Sequence, residues 1–261
     1  MPSQNISFKQ ISGKLKSVGA HVEQDVSHAS KARPLPFVIP PTGSGDVAGI
    51  NWAEQANPQA LRLRAICWSG TQFVAVGYDD GVDAYIITSP DGITWTERAN
   101  PQALPLCAVC WSGTQFVAAG YNDGSAAYIV TSPDGIIWTE QSNPRALDLL
   151  GICWSGTQFV AVGGSDGTYT YVITSPDGIV WTEQSNPQPS DLFGICWSGT
   201  QYVAVGSNDN GDAYIITSPD GIIWTEQSNP RALDLFGICW SGTQYVAVGD
   251  SDETDAYIVT S

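Results

Sequence analysis

The segment Cys67-Trp-Ser-Gly-Thr-Gln72 occurs five times in this chain, and its copies begin at residues 67, 110, 153, 196 and 239. A second segment, Ser-Pro-Asp-Gly, begins at Ser89, Ser132, Ser175 and Ser218 with the same spacing of 43 residues. A tryptophan follows each of its glycines after three residues, and Trp52 lies one period before the first of these tryptophans. A constant period of this length indicates a repeat architecture.

Each repeat contains four short strand-like runs separated by turn residues. In the third copy the first three runs are residues 151–154, 158–163 and 171–174, and residues 136–140 exemplify the outer run. In the Pro-Asp-Gly turns, proline fixes φ and glycine accepts a positive φ. Four antiparallel strands in roughly 40–45 residues are typical of one propeller blade. The sequence therefore predicts an all-β fold, a five-bladed β-propeller of 43-residue, four-stranded blades over residues 47–261.

The two ends of the repeat region suggest how the ring is closed. The fifth copy reaches Thr260-Ser261, the point where the other copies continue into Pro-Asp-Gly and the outer strand. A matching outer strand stands at the other end of the region, as residues 50–55 around Trp52. We expect residues 50–55 to pair with residues 256–260, since closure would hide sheet edges that otherwise invite aggregation.

Charge divides the chain into a basic N-terminal part and an acidic repeat region. Residues 1–39 carry a net charge of +3, whereas the remainder holds 24 acidic residues against five arginines, a net charge of −19. Residues 1–34 are interpreted as a basic anchoring arm and residues 35–46 as a Pro/Gly-rich linker, because neither can bury a core alone. The acidic region repels phosphate backbones, so nucleic-acid binding is not expected.

No apolar run approaches the roughly 18 residues of a membrane-spanning helix, and residues 1–16 lack the apolar stretch of a signal peptide. We therefore expect a chain made in the cytosol, with no membrane insertion.

Five of the six cysteines occupy one repeat position, and the sixth, Cys107, creates a CxxC spacing with Cys110. Other copies have arginine, leucine or phenylalanine at the position of Cys107, so it is interpreted as a core substitution. Reduced, buried thiols are predicted, with neither metal nor cofactor.

The repeated turn carries a family resemblance. Residues 132–138, Ser-Pro-Asp-Gly-Ile-Ile-Trp, resemble the Asp-box of sialidases and other β-propellers, with one residue fewer between Asp and Gly. In that family the box is a hairpin turn between the outer two strands, far from the active site. The predicted five-bladed architecture resembles that of tachylectin-2-like lectins. This resemblance implies repeated sugar-binding sites.

The N-terminal arm carries a second resemblance, to the start of contractile-phage tail sheath proteins. The matching residues are Phe8, Ile11, Val18, Gly19, Val22, Glu23, Asp25, Ser27 and Ala29. The sheath domains that follow in that family have no counterpart here. The resemblance implies that the arm, residues 1–45, joins a protein partner in a larger assembly such as a phage particle, with the protein at the virion surface.

Catalytic signatures are missing from the repeat region. A sialidase-like enzyme would need an arginine cluster, and the five arginines (Arg62, Arg64, Arg98, Arg145 and Arg231) include no unique triad. Both histidines lie in the arm, which removes the commonest general base. No Ser-His-Asp set, phosphate-binding loop or zinc spacing is present. We expect a protein that is not an enzyme and has no catalytic residue; a sialidase-like glycosidase is the remote alternative.

Comparing the five copies shows where the sequence varies. Variation concentrates in the connection to the next blade and in the turn between the second and third strands. In an up-and-down blade both emerge on the same side, here named the loop face; the invariant Ser-Gly-Thr and Ser-Pro-Asp-Gly turns form the opposite turn face. Candidate ligand-binding residues of the loop face are Asp80, Asp123, Asp166, Asp209, Asp252, Tyr78, Tyr121, Tyr169, Arg145 and Arg231.

These residues predict a non-enzymatic binding protein that recognises repeated surface glycans or a cell-surface receptor. The three tyrosines would stack on sugar rings, and repetition of weak sites would give avidity. Calcium at Asp79, Asp80 and Asp83 is conceivable but lacks a recognised loop motif. Ordinary solvated turns are the competing interpretation. A structural or decoration subunit, or a protein-interaction scaffold without glycan binding, is the alternative function.

Overall fold

The computed structural model describes residue 49 and residues 52–261, except 80, 82–83, 186–187, 209–211, 230, 232 and 252–254. All described residues belong to one compact unit, Pro40–Ser261. The predicted arm and linker, residues 1–34 and 35–46, lie outside the described residues.

The described residues form nineteen β-strands and no helix. The strands are β1 (Leu63–Trp68), β2 (Phe73–Asp79), β3 (Ala84–Ser89), β4 (Thr96–Arg98), β5 (Leu106–Trp111), β6 (Phe116–Asn122), β7 (Ala127–Ser132), β8 (Thr139–Glu140), β9 (Leu149–Trp154), β10 (Phe159–Ser165), β11 (Thr170–Ser175), β12 (Thr182–Glu183), β13 (Ser190–Trp197), β14 (Tyr202–Asn208), β15 (Ala213–Ser218), β16 (Thr225–Glu226), β17 (Leu235–Trp240), β18 (Tyr245–Ser251) and β19 (Ala256–Thr260).

These strands build five antiparallel sheets, each ordered as a simple meander. Four sheets have four strands, and the fifth contains β17, β18 and β19. Neighbouring sheets pack in chain order, through contacts of β1 with β5, β5 with β9, β9 with β13 and β13 with β17. Repeated meanders packed in this way are the blades of a propeller. The predicted all-β, five-bladed class is confirmed by these sheets.

The core lies between neighbouring sheets and is built around aromatic columns. Between the first two sheets, the Phe116 ring lies 4.4 Å from Trp111 and 6.3 Å from Trp138, measured between ring centroids. Trp138 is only 5% exposed and packs with Val74 and Ile86 of the first sheet. Burying 150–250 Å² of an aromatic side chain contributes about 4–6 kcal/mol as an upper value. Trp138, the tryptophan that follows the Ser-Pro-Asp-Gly turn, thus stabilises the packing between the first two sheets.

The repeated Ser-Pro-Asp-Gly turn has a hydrogen-bonded design. The Asp134 carboxylate accepts the backbone N–H groups of Ile136 and Ile137 at 2.9 and 3.2 Å, and the Trp138 indole donates to the Gly135 carbonyl at 3.0 Å. Because these N–H groups are committed to the turn, they cannot join a ladder. The outer strand predicted over residues 136–140 is correspondingly shortened to Thr139–Glu140.

Within its described residues, 52–55, the predicted closing strand is not formed. Residues 52–55 belong to no strand, and Trp52 is 89% exposed, with its indole donating to the Gly49 carbonyl at 3.2 Å. Residues 50 and 51 lie outside the described residues. Every other outer strand is joined to its sheet by a hairpin, whereas residues 52–55 would have to meet β19 across about 200 residues of chain. Across the described residues, the first and fifth sheets show no packing like that of successive sheets.

A groove of about 500 Å³ lies between the fourth and fifth sheets, at the position where the predicted closing strand would pack. Its lining includes Val203, Ile215, Trp240, Tyr245 and Val259. In the preceding sheets the equivalent space holds Trp138, Trp181 or Trp224, each at most 7% exposed. Unlike these three tryptophans, Trp52 is therefore not part of the buried core.

Candidate functional site

The loop face forms as the sequence predicts. In the first three sheets, the backbone N–H that begins the third strand donates to the connection that leads to the next sheet. Ala84 donates to Gln102 at 2.9 Å, Ala127 to Arg145 at 2.9 Å and Thr170 to Gln188 at 3.0 Å. The two variable segments of these three repeats therefore lie side by side on one face.

The turn face is tied together by side chains of the invariant repeat residues. The Gln158 amide donates to the Asp220 carbonyl of the next sheet at 2.6 Å. Gln72 and Gln115 make the same bond to Asp134 and Asp177. A glutamine at the end of Ser-Gly-Thr-Gln therefore fastens the Ser-Pro-Asp-Gly turn of the following sheet. This gives the invariant turn residues a structural function.

Two of the candidate aspartates shape their own loops. Asp123 Oδ1 accepts bonds from the Ser125 N–H and hydroxyl, both at 2.7 Å, and from the Ala126 N–H at 2.8 Å. These donors, led by the Ser125 side chain, lower the pKa of Asp123 to about 2. Asp166 accepts the N–H groups of Thr168 and Tyr169, which lower its pKa. Both carboxylates are ionised at neutral pH and fixed in direction.

The other three candidate aspartates, Asp80, Asp209 and Asp252, lie outside the described residues. Asp79 is described, and its carboxylate accepts the Gly81 N–H at 3.0 Å. The conceivable calcium ligands Asp80 and Asp83 are likewise outside. Within the described part of the chain, no three His, Cys, Asp or Glu side chains are grouped as a metal site.

Arg145 is held by two carboxylates. Its guanidinium lies 2.6 Å from Asp166 and 2.7 Å from Glu183. These partners fix the arginine across the third sheet and neutralise its charge. The equivalent Arg231 donates its backbone N–H to Asn229 Oδ1 at 3.5 Å. Burial raises the pKa of the nearby Tyr257 hydroxyl, and the backbone hydrogen bond and then the charge of Arg231 oppose this rise.

Tyr78 and Tyr121 are brought together with two arginines that sequence reasoning did not select. The Arg64 guanidinium carbon lies 5.5 Å from the ring centroid of each tyrosine, and its Nη1 donates to the Tyr121 hydroxyl at 2.7 Å. Arg62 lies 5.8 Å from the Tyr78 ring. We name Arg62, Arg64, Tyr78 and Tyr121 the Arg/Tyr cluster. Both rings thus contact guanidinium groups, and their stacking on sugar rings stays a prediction.

Repeat register could have revealed this cluster. At the position of Arg62 the later copies have Pro105, Asp148, Asp191 and Asp234, and at that of Arg64 they have Cys107, Leu150, Phe193 and Phe236. Only the first copy carries cations there. The third candidate tyrosine, Tyr169, is 51% exposed on the loop of the third sheet.

The inner strands bring equivalent residues of neighbouring sheets into contact. The rings of Phe193 and Phe236 lie 5.7 Å apart.

Cys107 is buried, and this burial raises the pKa of its thiol to about 11, against the opposing charge of Arg64. All six cysteines are free thiols, and Cys239 is exposed, where a buried thiol was expected. Cys107 is thus a buried neighbour of the Arg/Tyr cluster.

The turn face carries exposed apolar side chains that sequence reasoning missed. They follow the glycine of each Ser-Pro-Asp-Gly turn and are between 46% and 71% exposed: Ile93, Ile136, Ile137, Ile179, Val180, Ile222 and Ile223. The first copy has Thr94 at the position of Ile137, Val180 and Ile223. A polar residue is therefore compatible with the turn, and its geometry does not require these apolar side chains.

Comparison with known proteins gives a likeness of fold. Neither a protein family nor a curated protein matches this chain. Among solved structures, a chain in the crystal structure of a nidogen/laminin complex superposes with a TM-score of 0.53 at 11% identity. The match covers 73% of this chain and 73% of that chain. The shared feature is a propeller-like fold. At this identity the likeness concerns the fold alone, and the lectin, Asp-box and tail-sheath resemblances stay predictions.

The described residues also contain no helix that is long and apolar enough to cross a membrane.

Proposed function

We propose that this chain is a non-enzymatic binding protein whose loop face recognises repeated glycans or a receptor on a surface. One observation carries the proposal: in the first three repeats the two variable segments meet on one face, while invariant residues fasten the opposite face. Binding residues commonly lie on loops that a rigid scaffold positions. The sheets form that scaffold, and the loops carry the residues that differ between the repeats.

Avidity explains why five similar sheets would be useful. Weak sites on neighbouring sheets engage a repeated target together, and the linked sites bind far more tightly than one alone. Asp123 and Asp166 are fixed, ionised acceptors for sugar hydroxyls, and exposed Tyr169 offers an aromatic face. No catalytic residue is proposed for this face.

A glycan array at physiological salt, with and without calcium, tests this function. The folded full-length chain should bind a subset of glycans, and a heat-unfolded sample is the control. The Tyr169→Ala variant should bind at least about threefold more weakly, while Tyr257→Phe, which keeps a buried ring, should bind as the wild type does. Failure to bind any sugar would remove the glycan part of the proposal.

A second candidate function is a protein-assembly subunit, and the exposed apolar residues of the turn face favour it. Repeated exposed apolar side chains are typical of protein contact surfaces. The structurally similar nidogen/laminin chain was likewise solved within a protein complex. On this interpretation residues 1–45 anchor the chain in an assembly such as a virion, and the turn face adds contacts.

Photo-cross-linking in the intact assembly distinguishes this candidate. A photoreactive residue at position 137 should trap an assembly protein, and one at position 169 should not. The Val180→Thr/Ile223→Thr background should lower the yield without loss of folding, because Thr94 occupies this position in the first copy. Deletion of residues 1–45 should leave soluble, folded sheets that no longer assemble. Equal cross-linking from both faces would exclude a docking function for the turn face.

A further inference from the structure

The Arg/Tyr cluster is a cationic site in an otherwise acidic domain. Residues 40–261 carry a net charge of −19 and contain five arginines. Arg145 is neutralised by Asp166 and Glu183, and Arg98 donates to the Thr88 hydroxyl. Neither Arg62 nor Arg64 forms an ion pair with any carboxylate that the structure describes. Both side chains belong to exposed residues.

Tyrosine positions Arg64 without neutralising it. An aromatic face attracts a guanidinium through the ring quadrupole, and the ring adds no formal charge. The Tyr121 hydroxyl fixes Nη1 at 2.7 Å, while an arginine has five N–H donors in all. The two rings therefore orient a planar, charged fork and leave donors for a further acceptor.

Arg62 occupies a position where the last three copies have aspartate. In the third and fourth sheets the equivalent Asp148 and Asp191 accept backbone N–H groups of Asn122 and Ser165 at the neighbouring sheet. Arg62 replaces a carboxylate of this series by a cation, so the first sheet differs from these sheets by two charge units at one position. This reversal concentrates positive charge beside Tyr78.

We propose that Arg62 and Arg64 bind the anionic group of an acidic sugar, a uronate carboxylate, at the loop face of the first two sheets. The proposal rests on the proposed glycan-binding function and specifies the sugar class for one of its sites. A guanidinium matches the planar carboxylate with two parallel N–H···O bonds. Tyr78 and Tyr121 are positioning residues that hold the guanidinium groups toward the ligand.

Calorimetric titration of the full chain with trigalacturonate and with its methyl ester tests this site. The two probes differ in charge and share the sugar skeleton. The wild type should bind the acid at least about tenfold more tightly, and Arg64→Gln should reduce this preference to less than about twofold. Arg98→Gln is the matched control, since it removes the same charge at a position where the next three copies have glutamine, and Gln141 makes the equivalent bond to the Thr131 hydroxyl. Arg64→Lys should keep only part of the preference.

Sulfated trisaccharide in a third titration distinguishes the anion. Binding of the sulfated sugar in preference to the uronate would overturn the carboxylate assignment. Equal binding of acid and ester would overturn the anionic site and leave sugar recognition intact. A preference that survives Arg64→Gln would also overturn it. If neither probe binds, the uronate site is wrong, and the glycan array separately decides the proposed function. Unchanged far-ultraviolet circular dichroism of each variant confirms folding.

Discussion

At the residue scale, aspartate has a structural function on both faces. The sequence indicated that Pro-Asp-Gly forms turns, and Asp177 accepts the N–H groups of Ile179 and Val180 as expected of a turn residue. The variable aspartates looked like ligand-binding groups, yet Asp123 and Asp166 bond to their own loops. Repeat comparison reveals where a carboxylate recurs, but its partner depends on backbone direction, which the residue types do not specify.

These carboxylates predict a loss of stability in acid. The pKa of Asp123 is about 2, and backbone N–H groups lower the pKa values of Asp91, Asp134, Asp177 and Asp220. A lowered folded-state pKa stabilises the fold above the ordinary value of 3.8, and this contribution disappears as the pH falls through the folded value. The melting temperature should fall between about pH 4 and pH 2, measured by circular dichroism.

Asp123→Asn is the control for that acid transition. The amide oxygen still accepts hydrogen bonds but does not titrate, so the variant should lose less stability between pH 4 and pH 2 than the wild type. Asp234 has the opposite sign, because burial and, next, the charge of Asp250 raise its pKa. A melting temperature that is constant down to pH 2 would contradict the assigned hydrogen bonds.

At the element scale, the strands were predictable and their irregularities were not. Alternating apolar residues and turn tripeptides marked the strands, and the observed β9 and β10 lie within two residues of prediction. The bulge in this pair, between Val162 and Gly163, left no such signal. The shortening of the outer strand was not predicted either. There the Asp134 carboxylate accepts backbone N–H groups that would otherwise bond to the neighbouring strand. Competition of this kind is decided by three-dimensional geometry.

Gly163 should tolerate no side chain. A Cβ atom there would overlap the Asp148 carbonyl, whereas a Cβ on the adjacent Gly164 would meet only Asp191 Oδ1 at 3.7 Å. Gly163→Ala should therefore lower the free energy of unfolding by about 3 kcal/mol or more, because the backbone must shift. Gly164→Ala should change it by less than about 1 kcal/mol. Urea unfolding measures both values; equal effects would contradict the close approach of Gly163 to the Asp148 carbonyl.

At the scale of the whole molecule, the repeat indicated five blades and their two faces. Covalent hairpins and packing between neighbours explain why this much follows from the sequence. Closure was not predictable in the same way, since residues 52–55 must meet a strand distant in the chain. Arg62 and Arg64 were also missed, because the function of a cation depends on the rings that surround it.

Thiol labelling reports on the fifth sheet. Cys239 is exposed, and Cys107 is buried with a pKa of about 11. N-ethylmaleimide at pH 7.5 should modify Cys239 at least about tenfold faster than Cys107, followed by peptide mass spectrometry. Cys239→Ser is the control that removes the fast phase. Protection of Cys239 equal to that of Cys107 would contradict the exposure of strand β17 in the fifth sheet.

The central claim is that the loop face binds while the turn face supports. Hydrogen–deuterium exchange of the full chain, with and without the glycan that binds best on the array, tests it directly. The ligand should slow exchange in residues 121–127 and 164–170 and leave the turns at residues 155–158 and 175–178 unchanged. Protection confined to those turns, or no protection by any glycan, would contradict the claim.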